Sequence, residues 1–533
     1  MVDVQQRFKD LADISLSLSA EHNRTRLLEK IVDAAMRLTE ADGGTIYLLN
    51  ENSALEVEVI VNRSLKIYWS ASEQDDLEFA PIALQGSDGR LNGTHLVAKA
   101  VNQRASINIL SRFNTPNFDF SGVDQFDQAH NYRTESILSV PLLDHRGMPL
   151  GAMQLINARA DDDKWCSFSP DAQLLAETFA SLAAVAINNH QLVAEQELLF
   201  ESFIKVLASA VDEKSPHTGD HCRKVPELTI RLVDAIDQWQ EGELAGFKLS
   251  DNDRYELKIA AWLHDCGKVT TPEHVIDKGT KLETIHDRIS EINQRFETLR
   301  RDLRIEYLEA QLAAVNDRRA QQEAKSRYEL RLQQLNDDCS FVNRANTGGE
   351  FMTFEDQQKV AEIARRYVLA DQYGAQHPLL SGEELYNLQI SRGTLTEEER
   401  AIINRHIEVT IDMLEALKLP RNLKNVPEIA GGHHERMDGK GYPKGLKRDE
   451  LSVQTRAMGI ADIFEALTSS SRPYKQAKTL SESLGIMQRM GKGGHIDPEI
   501  FEIFLRSGVY KEYAEAFLLP SQMDEVQVED YLI

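Results

Sequence analysis

The sequence predicts a multidomain protein in which an α+β domain is followed by an all-α domain that carries a long, coiled-coil-like helical insertion. Three observations support this fold class. A chain of 533 residues is too long for one ordinary hydrophobic core. Strand-like patterns occur between residues 45 and 157, whereas helical periodicity dominates the rest. A charge-rich segment without proline, residues 285–345, divides the helical part.

Composition excludes several classes of protein. A hydrophobic content of 42% with 27% charged residues is typical of a soluble globular protein, and no apolar run is long enough to span a membrane. The N-terminus lacks the pattern of a signal peptide. The scattered cysteines suit a reducing compartment, so we expect a cytoplasmic protein. A net charge of −25 argues against a nucleic-acid polymer as partner. The cysteines are Cys166, Cys222, Cys266 and Cys339.

The first domain begins with helical periodicity, which the Gly43-Gly44 pair ends. Four segments that follow alternate or run apolar like strands, and another helix is expected after Ser169-Pro170. A helix, an antiparallel sheet and a second helix form an α+β pattern. The predicted strands are Thr45–Leu49, Leu55–Val61, Ser136–Leu142 and Leu150–Asn157.

The run TESILSVPLLDHRGMPLGAMQLINA, which begins at Thr134, resembles GAF sensor domains, and the resemblance covers residues 25–190. Some nucleotide-binding GAF domains carry Asn-Lys, Phe and Asp-Glu after this strand. Asn157, Phe168 and Asp171 lie at similar places, but Ala158 and Ala172 replace the Lys and the Glu. We therefore expect Asn157 and Asp171 to have structural roles, at a strand end and a helix cap. The sequence does not identify the small-molecule ligand of this domain.

Helical periodicity continues from Asp171 to about Val211 without proline or glycine. One seam of apolar residues has the spacing of a short coiled coil. This helix either couples the sensor to an output domain in a homodimer or packs on its own sheet as the last GAF helix. The seam comprises Leu175, Phe179, Leu182, Ala186 and Val193.

A second seam, Ile292, Phe296, Leu299 and Leu303, predicts a helical hairpin or coiled coil in the insertion. The predicted boundaries are an N-terminal helix over 1–24, the sensor domain over 25–190, a connecting helix over 191–212, a helical domain over 213–520 with its insertion at about 285–393, and a tail over 521–533.

The residues that carry chemistry lie in the helical domain. His264 and Asp265 are adjacent on an apolar helix, where a buried carboxylate needs a metal or another partner. Imidazole and carboxylate ligands suit iron, manganese, zinc or nickel, and their number exceeds what one ion requires. On a helix, His433 and His434 would differ by about 100° and address different ions. The candidate ligands are His221, His264, Asp265, His406, His433, His434 and Asp462, with His217 as a further candidate one helical turn before His221.

The order His221, His264-Asp265, Asp462 resembles the HD phosphohydrolase superfamily, and the run HHERMDGKGYP from His433 to Pro443 resembles its HD-GYP subfamily at every signature position. The resemblance covers about residues 205–520 and implies an all-helical domain with two or three divalent ions, iron or manganese. It implies hydrolysis of cyclic di-GMP to pGpG or GMP. Metal ions lower the pKa of water and hold phosphate oxygens for in-line attack, and Asp265 can bridge two ions.

The same resemblance suggests roles for neighbouring residues. Lys268 can stabilise charge on the phosphoryl oxygens and is, with Asp265, an expected catalytic residue. Gly439 and Gly441 permit a tight loop, and Tyr442 offers a flat face to guanine, with Pro443 fixing the turn. Arg472 and Lys475 are expected to hold the second phosphate. Cys222 and Cys266 are interpreted as small core residues, and His274, His286 and His495 as ordinary histidines.

Two alternatives remain open at the level of sequence. A catalytically silent domain would use the GYP loop to contact a partner such as a diguanylate cyclase domain, although such a module has no need of seven metal-binding side chains. A hydrolase of another cyclic dinucleotide would share the same centre, because base identity is not encoded in these residues. The sign of regulation by the sensor domain is likewise undetermined by the sequence.

Overall fold

The computed structural model describes residues 16–18, 21, 23–71, 79–86, 88–159, 165–214, 221–348, 351–469 and 477–533. The chain divides into two compact units, Met1–Phe200 and Glu201–Ile533. Most of the predicted N-terminal helix, the candidate ligand His217 and the candidate phosphate contacts Arg472 and Lys475 lie outside the described residues.

The first unit contains an antiparallel sheet flanked by helices. Helix α1 begins at Asn23, whose side chain accepts a hydrogen bond from the Arg26 amide and so satisfies a free N–H of the first turn. The elements follow in the order α1 (Arg24–Thr39), β1 (Ala41–Leu49), β2 (Ala54–Asn62), β3 (Ile67–Ser70), β4 (Ile82–Ala83), α2 (Leu96–Gln103), β5 (Ile107–Ile109), α3 (Ser121–His130), β6 (Ile137–Leu143), β7 (Pro149–Arg159), β8 (Trp165–Cys166) and α4 (Pro170–Glu213).

The strands pair in the order β3-β2-β1-β7-β6-β5, with β4 beside β2 and β8 beside β7. Strands β1 and β7 approach closely at Gly151, where a Cβ atom would overlap the carbonyl oxygen of Tyr47. One buried cluster joins α1, the sheet and the first half of α4, and includes Ile31, Ile46 and Phe179. The predicted α+β architecture of this domain is therefore confirmed.

Asn157 has a structural role in the first domain. It is buried, with φ of 55°, and its side-chain oxygen accepts a hydrogen bond from the Glu135 amide at 2.7 Å. Its amide nitrogen donates to the Tyr132 hydroxyl at 2.9 Å and to the Arg133 carbonyl at 2.8 Å. The side chain thus ties the end of β7 to the segment before β6, and its hydrogen-bonding groups are used within the fold.

We predict that this sensor domain does not bind cyclic AMP or cyclic GMP tightly, because Ala158 and Ala172 lack the polar groups of nucleotide-binding relatives and Asn157 is engaged internally. Calorimetry of the full chain with each nucleotide should show no affinity in the low micromolar range. Binding at that level would show that the domain recognises the nucleotide with other residues.

Helix α4 packs on its own domain over its first half. Ala176, Phe179, Ala183 and Ile187 are buried in the sensor core, whereas Leu182 and Val193 of the predicted seam are exposed. The first half is therefore the last helix of the first domain. The second half presents exposed apolar side chains, among them Leu192, Leu198 and Leu199.

The second unit is mostly helical. Its elements are α5 (His221–Gln238), α6 (Asp251–Leu263), α7 (Glu273–Ile276), α8 (Ile289–Ala313), α9 (Arg318–Asn346), α10 (Phe354–Arg366), β9 (Val368–Ala370), β10 (Gln376–Pro378), α11 (Gly382–Leu388), α12 (Glu397–Asn404), α13 (His406–Ala416), α14 (Val426–Gly431), α15 (Val453–Thr468), α16 (Leu480–Lys492), α17 (Pro498–Arg506) and α18 (Val509–Phe517). Among the residues described, no helix is long and apolar enough to cross a membrane.

The insertion forms a helical hairpin of α8 and α9. Ile292 and Phe296 are fully buried in its core, Tyr307 stacks on Tyr328 with ring centroids 4.7 Å apart, and Asn293 and Asn343 exchange side-chain hydrogen bonds. After α10, β9 and β10 form a two-stranded hairpin. The prediction of a purely helical second domain missed this hairpin. Its strands have three residues each, too short to produce a recognisable alternation.

Candidate metal centre

The His-Asp pair lies where helix α6 ends. Ser250 and Asp253 form a capping box that starts the helix, and buried Leu257, Ile259 and Ala260 anchor it in the core. His264 follows the last helical residue, Leu263, and the chain then tightens into a 3₁₀ turn over Cys266–Thr270. The pair therefore projects from the end of a rigid element, which suits a site that needs fixed geometry.

Gly267 allows the turn after the pair to pack directly on helix α13. Its amide donates a hydrogen bond to the Thr410 hydroxyl at 2.9 Å. A Cβ atom at this position would overlap the carbonyl oxygen of His406 and lie 2.7 Å from the Thr410 amide nitrogen. The absence of a side chain thus brings His406, from a distant part of the sequence, up to Asp265.

The structure brings the seven predicted ligands that it describes into one group, which we call the His-Asp cluster. Three sets of three side chains have their ligand atoms within 4.8 Å of one another: His406, His433 and His434; His221, His264 and Asp462; and His264, Asp265 and His433.

Asp265 lies at the middle of the cluster. Its Oδ2 is 3.3 Å from the Nε2 atoms of both His221 and His264, and its Oδ1 is 3.2 Å from His406 Nε2. Asp462 Oδ1 approaches His221 Nε2 at 3.4 Å. A carboxylate that faces imidazoles on opposite sides has the position expected of a bridging ligand.

Backbone carbonyls orient three of the histidines. The Nδ1 atoms of His264 and His433 contact the carbonyl oxygens of Ala261 and Ala430 at 2.8 and 2.6 Å, and His406 Nδ1 contacts that of Ile403. Since a carbonyl can only accept, each Nδ1 carries a proton and each Nε2 presents a lone pair to the cluster. This is the tautomer that a metal ligand requires.

The buried polar atoms of the cluster fit a cation. Asp265 Oδ1, His406 Nε2 and His433 Nε2 are buried without a hydrogen-bond partner among the described residues. The Asp265 and His406 atoms are both acceptors 3.2 Å apart, an arrangement that is unfavourable unless a positive charge lies between them. The nitrogen and oxygen donor set suits a first-row divalent metal.

The electrostatics agree with this chemistry. Burial would raise the pKa of Asp265, but Lys268 and His264 hold that pKa well below its ordinary range. Burial would lower the pKa of His221, but hydrogen bonds to Asp265 and Glu465 raise it to about 10. The part of the cluster around His221 therefore favours positive charge. Burial lowers the pKa of His434 to about 4, so this ring is neutral near pH 7, as a ligand must be.

Glu465 contacts a predicted ligand and was not singled out from the sequence. It is buried one turn after Asp462 on helix α15, and its Oε2 accepts a hydrogen bond from His221 Nδ1 at 2.6 Å. This bond leaves His221 Nε2 directed at Asp265 and Asp462. The spacing of three residues from Asp462 was available in the sequence, but an isolated Glu in an apolar helix does not indicate its partner.

We expect Glu465→Gln to weaken metal binding by roughly 10- to 100-fold, because the glutamine keeps the shape but loses the charge that orients His221 and increases its basicity. Metal content after dialysis against graded chelator would measure this. Glu415→Gln, an exposed position on α13, is the matched control and should bind metal like the unmodified protein. Equal retention by both variants would show that Glu465 is only a core residue.

Lys268 lies at the edge of the cluster. Its Nζ is 2.5 Å from Asp265 Oδ2, and although burial lowers its pKa, the Asp265 carboxylate outweighs that effect and raises it. Lys268 is therefore a cation, suited to charge stabilisation and not to proton abstraction.

Burial raises the pKa of Cys266 to about 11 and raises that of Cys222 as well, so neither thiol is ionised as a metal ligand would be.

The GYP segment forms a tight loop beside the cluster. Buried Glu435 accepts hydrogen bonds from the amides of Lys444, Gly445 and Leu446. Gly441 packs so closely that a Cβ atom would lie 2.5 Å from the Arg436 amide nitrogen, Gly439 has φ of 76°, and the Tyr442–Pro443 bond is cis.

The ring of Tyr442 stacks on His434, with centroids 4.9 Å apart and planes inclined by 26°. A flat aromatic face thus adjoins the cluster.

His433 and His434 do not lie on a helix, contrary to the geometry assumed from the sequence. Helix α14 ends at Gly431, and the pair follows in a turn. Glycine is a poor helix former, and the Gly431-Gly432 pair packs against Ile411 and Thr455. The two rings nevertheless reach the cluster together, with centroids 4.2 Å apart.

Comparison with known proteins places these features in families. Residues 23–187 match the GAF domain, and residues 370–500 match an HD domain. A 3'3'-cGAMP-specific phosphodiesterase of Vibrio cholerae is 33% identical over 29% of this chain and 38% of its own length. Cyclic di-GMP phosphodiesterases of Pseudomonas aeruginosa and Thermotoga maritima are 35% and 39% identical, over 22% and 21% of this chain and 28% and 30% of their own lengths.

The matched segments span less than two fifths of these relatives, so the likeness concerns a domain and not the whole proteins. The domain matches nevertheless agree with the resemblances inferred from the sequence motifs. HD domains are metal-dependent phosphohydrolases, and the His-Asp cluster supplies groups able to bind metal. The chain therefore combines a segment that matches the GAF domain with a later segment that matches an HD domain, and part of it is similar to cyclic dinucleotide phosphodiesterases.

Proposed function

We propose that this protein is a metal-dependent phosphodiesterase that hydrolyses cyclic di-GMP to pGpG or GMP under the control of its GAF domain. The observation that carries the proposal is the convergence of seven imidazole and carboxylate side chains. Buried acceptor atoms of Asp265, His406 and His433 there have no hydrogen-bond partner within the described part of the chain. The relatives named as cyclic dinucleotide phosphodiesterases support the substrate class.

The His-Asp cluster would hold two or three divalent ions, iron or manganese. It contains three groups of potential ligands; His264 belongs to two of them, and so does His433. Seven ligands are more than one ion requires. When bound, such ions polarise a phosphodiester and lower the pKa of water. Hydrolysis adds water across one phosphodiester bond, so that a phosphomonoester and a free hydroxyl result, and a second hydrolysis of pGpG yields two molecules of GMP.

The chain's own residues would bind and orient the substrate. Lys268, held at 2.5 Å from Asp265, keeps a positive charge beside the reacting phosphate. The Tyr442 ring, stacked on His434, offers one face to a guanine base. Gly439 and Gly441 give the loop the close backbone turn that places Tyr442 there.

We further propose that the protein forms a homodimer through the second half of helix α4, where Leu192, Val193, Leu198 and Leu199 are exposed on a continuous helix. Sedimentation of the full chain would test this.

A silent module that binds a diguanylate cyclase domain has less support, because it would not need the buried ligand set.

Substrate identity is tested by comparing kcat/KM for cyclic di-GMP and for 3'3'-cGAMP, since both substrates occur in the names of the relatives. We expect cyclic di-GMP to be preferred. A clear preference for 3'3'-cGAMP would retain the enzyme class and change the substrate. Failure to hydrolyse either one with a full complement of metal would favour the interaction module.

A separate prediction concerns Arg472. Its replacement by alanine should raise KM for cyclic di-GMP by roughly ten- to a hundredfold, because a guanidinium binds phosphate through two charge-assisted hydrogen bonds worth about 1.5–3 kcal/mol. Metal content should not change, and a generic phosphodiester that lacks a second phosphate should be hydrolysed as before. Equal losses with both substrates would assign Arg472 to the fold or the metal site.

A further inference from the structure

A cationic groove lies in the second unit, separate from the His-Asp cluster. This open groove has a volume of about 570 Å³. The described residues that line it include Arg392, Arg436, Lys478, Arg489 and His495, and no acidic residue is among them. No residue of the His-Asp cluster lines it. Four permanent cations around one cavity are unexpected in a chain with a net charge of −25. Such a concentration of one sign of charge attracts anions.

The cations of the groove come from separate elements. Arg392 precedes α12, Arg436 belongs to the GYP segment, Lys478 precedes α16 and Arg489 lies in its last turn. Arg436 is paired with Asp438 at 2.9 Å. Arg392, Lys478 and Arg489 form no ion pair within the described part of the chain. Arg392, Lys478 and Arg489 therefore repel one another, and a bound anion would relieve this repulsion.

His495 lies beside the cations that line the groove. This ring is half-buried, and its backbone holds the GYP segment through a hydrogen bond from the Met437 amide to the His495 carbonyl oxygen at 3.3 Å. Burial lowers the pKa of His495, Arg436 lowers it further, and Asp438 opposes both without cancelling them. At His495, the effect of Arg436 on the pKa therefore exceeds that of Asp438.

The shape and the remaining lining indicate the class of ligand. Leu467, Ile486 and Met490 form an apolar wall beside the cations. A volume of about 570 Å³ lies within the range of about 300–1,000 Å³ that is usual for small-molecule sites. Guanidinium groups match the geometry of a phosphate, and an apolar wall accepts a flat base.

We propose that this groove is a second ligand site, which binds a phosphate-bearing nucleotide outside the His-Asp cluster. We choose GMP as the ligand because it would be a product of the reaction. The choice of GMP rests on the proposed function, whereas the existence of the site does not. The site borders the GYP segment through Arg436 and His495, so an occupied groove would contact the loop that carries Tyr442.

The test is calorimetric titration of the metal-loaded full chain with GMP. Arg489→Glu should weaken GMP binding by roughly tenfold or more, because it replaces a phosphate contact with a repulsive charge. Lys492→Glu is the matched control: it changes the net charge equally in the same last turn of α16, but does not line the groove. It should bind GMP like the unmodified protein. Arg392→Glu, on the other side of the groove, should behave like Arg489→Glu.

The His434→Ala variant separates the two sites, since it alters the cluster and leaves the groove intact. It should retain the GMP binding that depends on Arg489. The proposal is overturned if the unmodified protein does not bind GMP, if Lys492→Glu loses as much affinity as Arg489→Glu, or if His434→Ala abolishes the binding. None of these results depends on turnover, so hydrolysis of cyclic di-GMP measured on the same preparations tests the proposed function independently.

Discussion

Replacing Asp265 with asparagine should abolish hydrolysis and remove most of the bound metal. One oxygen of Asp265 faces His221, His264 and Lys268, and the other faces His406, so this one carboxylate connects the parts of the cluster. Asparagine has the same shape, but replaces one acceptor oxygen with an NH₂ donor that cannot bind a cation. If the bound ions lower the activation free energy of hydrolysis by about 4 kcal/mol, their loss reduces turnover by about a thousandfold.

Asp412→Asn is the matched control for this substitution, because Asp412 is exposed on α13 and is not part of the cluster. Metal content by plasma mass spectrometry and turnover should match those of the unmodified protein. We expect His264→Ala to behave like Asp265→Asn. Normal turnover in purified Asp265→Asn or His264→Ala would remove the catalytic assignment of the cluster.

Gly267→Ala should have the second-largest effect, through geometry and not through charge. The added methyl group would overlap the His406 carbonyl oxygen and crowd the Thr410 amide, and both are backbone atoms that cannot rotate away. Overpacking of this kind costs typically about 1–3 kcal/mol. Because the backbone that must shift carries His406, metal binding and turnover should fall together with the melting temperature.

Gly382→Ala provides the comparison. Gly382 starts helix α11, and a Cβ atom there would meet no heavy atom within 4 Å. This variant should be as stable as the unmodified protein or slightly more stable, by about 0.4–1 kcal/mol, with unchanged metal content. If Gly267→Ala proved equally benign, the packing of the turn on α13 would not be what positions His406.

The sequence predicted those elements whose pattern reflects one buried face. Strands β1, β2, β6 and β7 were identified because seven to eleven residues with alternating or continuous apolar character are recognisable. Strands β3, β4, β5 and β8 were missed, because two to four residues carry no period. The helical insertion was predicted by the seam that contains Ile292 and Phe296, whose burial follows from helical spacing.

The candidate ligands were identifiable because His and Asp in apolar surroundings are costly unless they have a chemical purpose. Their mutual arrangement was not. Glu465 orients His221 across 244 residues of sequence, and the groove gathers Arg392 and Arg489 from separate elements. His495, interpreted as ordinary from the sequence, lines that groove. Such relations arise from tertiary packing, which no local pattern records.

The measurement that tests the central claim most directly follows cyclic di-GMP in the presence of the purified full chain and determines bound metal on the same preparation. We predict conversion to pGpG or GMP, loss of turnover with a chelator, and recovery when manganese or ferrous iron is restored. A protein with a full complement of metal in the His-Asp cluster that leaves cyclic di-GMP intact would contradict the account.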